Sequence, residues 1–89
     1  MIYLVSYDLN RPEKNYERII SAIKTYEGYC PILKSQWLIY SKKSAYEVAS
    51  HLINYVDDND YLFVCEVKDN LAGQFTDEVQ NWLKQSGVL

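Results

Sequence analysis

Asp8 is the residue of this chain best placed to do chemistry. It ends an almost wholly apolar run, Met1-Ile2-Tyr3-Leu4-Val5-Ser6-Tyr7-Asp8, just before Asn10-Arg11-Pro12. A segment this rich in β-branched and aromatic residues reads as a central strand buried on both faces. Its alternation puts Ile2, Leu4, Ser6 and Asp8 on one face and Tyr3, Val5 and Tyr7 on the other. If the first face meets a second copy of the chain, two Asp8 carboxylates converge near the two-fold axis. Such a pair suits one shared divalent cation, Mg²⁺ or Mn²⁺, which prefers hard oxygens and keeps most of its waters for phosphate chemistry. The competing reading is that Asp8 only ends the strand and begins a turn.

The other reactive side chains offer less. Asp57-Asp58-Asn59-Asp60 lacks the glycine and the terminal glutamate of a calcium-binding EF-hand loop and reads as a solvated turn. The single histidine, His51, falls on the polar side of its helix with no Ser or Cys that spacing places beside it, so no nucleophilic dyad is indicated. Cys30 and Cys65 have no Cys-x-x-Cys spacing and, with one histidine, make no conventional zinc site; both read as reduced, packing thiols. Lys42-Lys43, with Lys14, Arg18 and Lys24, can form a phosphate-binding surface, although lysines on exposed helix faces are more often only solvated charge.

These side chains must be positioned by elements that the pattern makes visible. After the first strand, Asn10 suits an N-cap and Pro12 a helix start. Tyr16, Ile19, Ile20, Ile23 and Tyr26 then form one apolar stripe, with Gly28 as the expected C-cap. Residues 29–41 are strand-like and divide at Lys34-Ser35 into strands at 30–33 and 36–40. Ser44 caps a second helix whose core face is Val48, Ala49, Leu52, Ile53 and Val56. Tyr61-Leu62-Phe63-Val64-Cys65-Glu66-Val67 is a second continuous apolar strand, which suggests an interior place in the sheet. Thr76 opens a last helix with Asp77 and Glu78 in its first turn, Phe75, Val79, Trp82 and Leu83 on its apolar face, and Gly87 at its end.

The order strand, helix, strand, strand, helix, strand is that of an α+β, ferredoxin-like βαββαβ sandwich over residues 1–68, followed by an additional C-terminal helix at 74–87 within a single domain. Both helices of the repeat then cover one sheet face. The opposite face has only the last helix to cover it, yet its strands are apolar on both sides, a conflict that sheet-to-sheet homodimerisation resolves. A chain of 89 residues buries a modest share of its surface, which also favours self-association. Net charge is −3 but uneven: residues 1–43 sum to +3 and residues 44–89 to −6. The basic half keeps RNA or DNA open as a partner, since phosphates respond to local potential. Neither a secretory leader nor an apolar run long enough for a membrane span is visible, so a cytoplasmic location is expected.

The apolar strand ending Tyr7-Asp8, the basic amphipathic helix, Leu33-Lys34-Ser35-Gln36-Trp37 and the acidic turn before an apolar strand together resemble a known family. This is the small CRISPR-associated endoribonuclease, the second core protein of spacer adaptation, with ferredoxin-like relatives such as virulence-associated protein D. The resemblance covers roughly residues 1–68. It implies a dimer with the sheets facing each other, a divalent metal held by Asp8, a substrate contact at Ser35, and a CRISPR adaptation integrase as partner. Arg11, just after the motif, is positioned to steady a phosphate, although a solvated loop arginine is the more frequent finding. The chain departs from the family after its fourth strand, where members often add a strand that pairs with the other subunit and this sequence reads as helix. An RNA-recognition-motif domain shares the element order, but Gln36-Trp37-Leu38-Ile39-Tyr40 lacks its aromatic signature.

The expectation is therefore a homodimeric, metal-dependent phosphodiesterase on RNA or DNA, with Asp8 as metal ligand and catalytic residue and Ser6, Arg11 and Ser35 as secondary substrate contacts. The alternative is a non-catalytic dimeric scaffold or interaction module in which Asp8 closes a turn.

Overall fold

The computed structural model of the chain describes residues 1–10 and 16–89. The elements are β1 (Ile2–Asp8), α1 (Glu17–Ile23), β2 (Gly28–Leu33), β3 (Gln36–Tyr40), α2 (Ala45–Leu52), a 3₁₀ turn (Ile53–Tyr55), β4 (Tyr61–Val67) and α3 (Asp77–Gln85). The strands make one antiparallel sheet in the order β2-β3-β1-β4. This is the ferredoxin-like arrangement with a C-terminal helix that the element order predicts. Among the described residues no helix is long and apolar enough to cross a membrane.

The alternation of β1 sorts the core into two layers. Tyr3, Val5 and Tyr7 face α1 and α2, where Ile19, Ile23, Val48 and Leu52 close over them together with Ile39 of β3. Ile2 faces the other way and joins Leu38 and Cys30 beneath Val79 and Leu83 of α3. Each such aliphatic side chain contributes roughly 1.5–3 kcal/mol by leaving water, so both layers hold the sheet flat between helices. Cys30 and Cys65 lie on this second face three strand spacings apart, about 14 Å, which is beyond disulfide reach.

Local signals set the helix ends. Ser44 and Glu47 form a complete capping box, with Glu47 N–H donating to Ser44 Oγ and Ser44 N–H donating to Glu47 Oε1, each at 3.1 Å. Thr76 Oγ1 accepts from Val79 N–H at 3.3 Å. Gly87, at φ 79°, ends α3: Gly87 N–H donates to the Lys84 carbonyl and Val88 N–H to the Leu83 carbonyl, a Schellman closure in which Val88 packs back on the α3 layer.

Three expectations are corrected. The apolar strand Tyr61–Val67 is not interior: it is an edge strand, with Tyr61 and Phe63 largely exposed. Gly28 does not cap α1, which ends at Ile23; it opens β2, where a Cβ would sit 3.5 Å from the Trp82 ring and 3.4 Å from Tyr40 Cβ. Ile53 leaves the core face because the chain tightens to a 3₁₀ turn after Leu52, and its side chain is exposed. The helix start expected at Asn10 and Pro12, with Arg11 and Lys14, leads into residues outside the described ones; the Asn10 N–H itself donates to Asp60 Oδ1.

Candidate functional site

Asp8 is the last residue of β1 and pairs with Tyr61 of β4. Its carboxyl group lies on the α3 side of the sheet and is exposed. Two residues back on the same face, half-buried Ser6 sits between Phe63 of β4 and Gln36 of β3, and Gln36 Nε2 points a long 3.4 Å hydrogen bond at Ser6 Oγ. Because α3 packs over the Ile2, Leu38 and Cys30 end, the Asp8 end of this face remains open. A shallow depression of about 160 Å³ there is lined by Ser6, Asp8, Tyr61 and Phe63.

Ser35 arrives at the same end of the sheet by way of the backbone. It is the second residue of the β2–β3 turn, its carbonyl accepts from Tyr7 N–H at 3.1 Å, and its φ of 58° lies in the left-handed region that a non-glycine residue adopts at a cost of about 1–2 kcal/mol. Ser6, Asp8 and Ser35 thus lie at one end of the sheet, and Arg11 lies outside the described residues.

Asn10, two residues past Asp8, is held by a residue that pattern reading treats as solvated. Asp60 is buried, with 9% of its surface exposed. Its Oδ1 accepts from Asn10 N–H and its Oδ2 from Asp57 N–H, both at 2.8 Å. The carboxylate therefore ties the segment after β1 to the turn before β4, on either side of the Asp8–Tyr61 pair. The signal that locates it is the known habit of Asp side chains of bonding backbone N–H groups in turns; what the sequence lacks is the distant donor, Asn10.

His51 is also less polar in its setting than its helix position suggests. It is half-buried between Tyr26 and Tyr55, and the Tyr26 hydroxyl lies 2.8 Å from its Nδ1. These groups belong to the α1 and α2 side of the sheet, across the strands from Ser6 and Asp8, so the histidine takes no part in the Asp8 site.

The donor set decides which metal chemistry fits. Among the described residues no three His, Cys, Asp or Glu side chains converge as an all-protein cage. Among the described residues Asp8 supplies a hard carboxylate here, with the Ser6 hydroxyl on the same face. That suits Mg²⁺ bound through one or two carboxylates and its own waters, and it does not suit zinc or calcium, which take fuller protein ligand sets. No protein-family model, curated protein or solved structure matches this chain.

Proposed function

We propose that the protein acts as a homodimer in which two copies meet through the open end of the α3-side face, and that the paired Asp8 carboxylates hold one Mg²⁺ against a phosphodiester of RNA or DNA. The observation that carries this reading is the exposed Asp8 carboxylate at the mouth of a buried central strand, beside largely exposed Tyr61 and Phe63. An acid on an otherwise apolar strand is costly to bring to an interface unless a cation or a proton neutralises it there. A bound Mg²⁺ would supply Lewis-acid stabilisation and an activated water. The chain's own contribution is to aim Asp8 and to place the Ser6 and Ser35 groups at the substrate's edge.

A second reading, a non-catalytic dimeric module, is favoured by a specific feature of the same face. Leu33, Tyr61 and Phe63 are each more than half exposed, an apolar surface that suits macromolecular contact without chemistry. One assay separates the two. Labelled single- and double-stranded RNA and DNA are incubated with the protein, with Mg²⁺, Mn²⁺ or EDTA, beside an identically purified Asp8→Asn variant. The enzyme reading expects metal-dependent cutting that falls at least about 100-fold in the variant, the scale of losing a metal ligand's charge stabilisation. Equal cutting by both proteins, or none, removes Asp8 as a catalyst and leaves the binding module.

A further inference from the structure

The end of the sheet away from Asp8 carries a second polar cluster. Tyr40, the last residue of β3, pairs with Ile2, about 20 Å along β1 from Asp8. Here the α1–β2 connection, the segment after β3 and one side of α2 enclose a cleft of about 250 Å³, lined chiefly by Tyr26, Glu27, Ser41, Lys42, Lys43 and His51.

The backbone that presents the two lysines is held from below. Buried Tyr3 donates its hydroxyl to the Lys43 carbonyl at 2.6 Å, and burial pushes its phenol above the ordinary value, so the donor is retained. Buried Ser41 accepts from Lys43 N–H through Oγ at 3.0 Å, and Ser41 N–H donates to the Met1 carbonyl at 2.9 Å. The lysine stems therefore rise from a fixed segment rather than a slack loop.

The opposite wall is equally defined. The Tyr26 hydroxyl stands 2.8 Å from His51 Nδ1, and the imidazole tautomer sets which of the two donates. In the tautomer in which Tyr26 donates, the imidazole carries its proton on Nε2 and offers a donor there. The lining itself carries two lysines against the Glu27 carboxylate, with the ionised Glu47 carboxylate, engaged by the Ser44 N–H, beside Lys43. Lysine ammoniums are rotatable point charges that bind phosphate readily.

We propose that this cleft binds a phosphate monoester, from a free nucleotide or from the phosphorylated end of a nucleic acid, with Lys42 and Lys43 neutralising its charge and His51 donating a hydrogen bond. The volume is below that of sites for drug-sized ligands, which matches one phosphate and its ester carbon rather than a whole oligonucleotide. The site does not depend on the Asp8 reading.

His51 is the only histidine, so its ring resonances report the cleft without an assignment problem. The experiment titrates the protein with inorganic phosphate at constant ionic strength, with chloride as the control, and follows those resonances by NMR. It then compares, by calorimetry, a mononucleotide 5′-monophosphate and one short oligonucleotide with and without a 5′-phosphate. The expected result is a saturable shift with phosphate and not chloride, weakened about tenfold or more in Lys42→Ala/Lys43→Ala, whose substituted side chains are exposed and leave the core intact. Tighter binding of the mononucleotide identifies a small-molecule source, and tighter binding of the 5′-phosphorylated oligonucleotide identifies a nucleic-acid end. No saturable shift, or the same shift and affinity in the double-lysine variant, overturns the proposal.

Discussion

At the scale of single residues, the Asp8 end of the sheet depends on two unequal devices. Asp60 satisfies two backbone donors, Asn10 N–H and Asp57 N–H, in a setting with little solvent. Asp60→Ala leaves both without that acceptor and should cost about 2–3 kcal/mol, read as a lower urea midpoint, whereas Asp60→Asn, which keeps one side-chain oxygen, should cost less. Equal stability of Asp60→Ala and the parent would show that the tie is dispensable. Ser35 is the converse case, since its left-handed backbone is unfavourable for any residue with a Cβ. Ser35→Gly should raise stability by roughly 1 kcal/mol. A gain in stability accompanied by loss of substrate binding would mark the hydroxyl as a contact, and a gain with binding intact would assign the residue to the turn alone. The sequence shows Ser35 in a strand-to-strand turn but not that its carbonyl receives Tyr7 N–H, because that bond joins segments far apart in the chain.

At the scale of elements, the caps were legible because their partners are three residues apart. Ser44 announces the start of α2, and the structure adds Glu47 as its partner in a capping box. Ser44→Ala should destabilise by about 1 kcal/mol at neutral pH. The Glu47 half has a pH signature: the Ser44 backbone N–H, ahead of its side chain, holds the Glu47 carboxyl below its ordinary value. A carboxyl depressed on folding stabilises above its unfolded pKa and loses that contribution as pH falls through the folded one. The stability difference between the parent and Glu47→Gln should accordingly be present at neutral pH and shrink on acidification through the carboxylate range. A difference that stays constant with pH would show that packing, not the charged cap, is responsible. The edge position of β4 was not legible in the same way. A continuous apolar run signals apolar surroundings, and the run from Tyr61 to Val67 would look the same beside one neighbouring strand as beside two.

At the scale of the whole molecule, the decisive fact is that α3 lies on the face opposite α1 and α2 and covers only part of it. Full face-to-face docking of two bare sheets, as the family resemblance implies, would collide with α3, so a dimer through this face must use the Asp8 end. Phe63, 62% exposed, stands at the β4 edge of that end, beside Ser6. Phe63→Asp should leave the monomer fold intact and abolish self-association in sedimentation velocity, because an interface anchor is replaced by a charge that would be buried unpaired. A parent protein that sediments as a monomer at high micromolar concentration would sink the dimeric reading, and with it a metal shared by two Asp8 side chains.

The sequence by itself determined the element types and their order, the apolar stripe of the first helix, the capped starts of α2 and α3, the Gly87 stop, and the placement of Ser6 and Asp8 on one face of a buried strand. Each follows from periodicity or from bonds within one turn of chain. Tertiary structure alone decided that β4 is an edge, that Asp60 clamps Asn10, that His51 meets Tyr26, and that α3 closes the far end of the sheet while leaving Asp8 open. Those outcomes are contacts between segments separated by tens of residues, and alternation reports which side of an element is apolar without naming what comes to cover it.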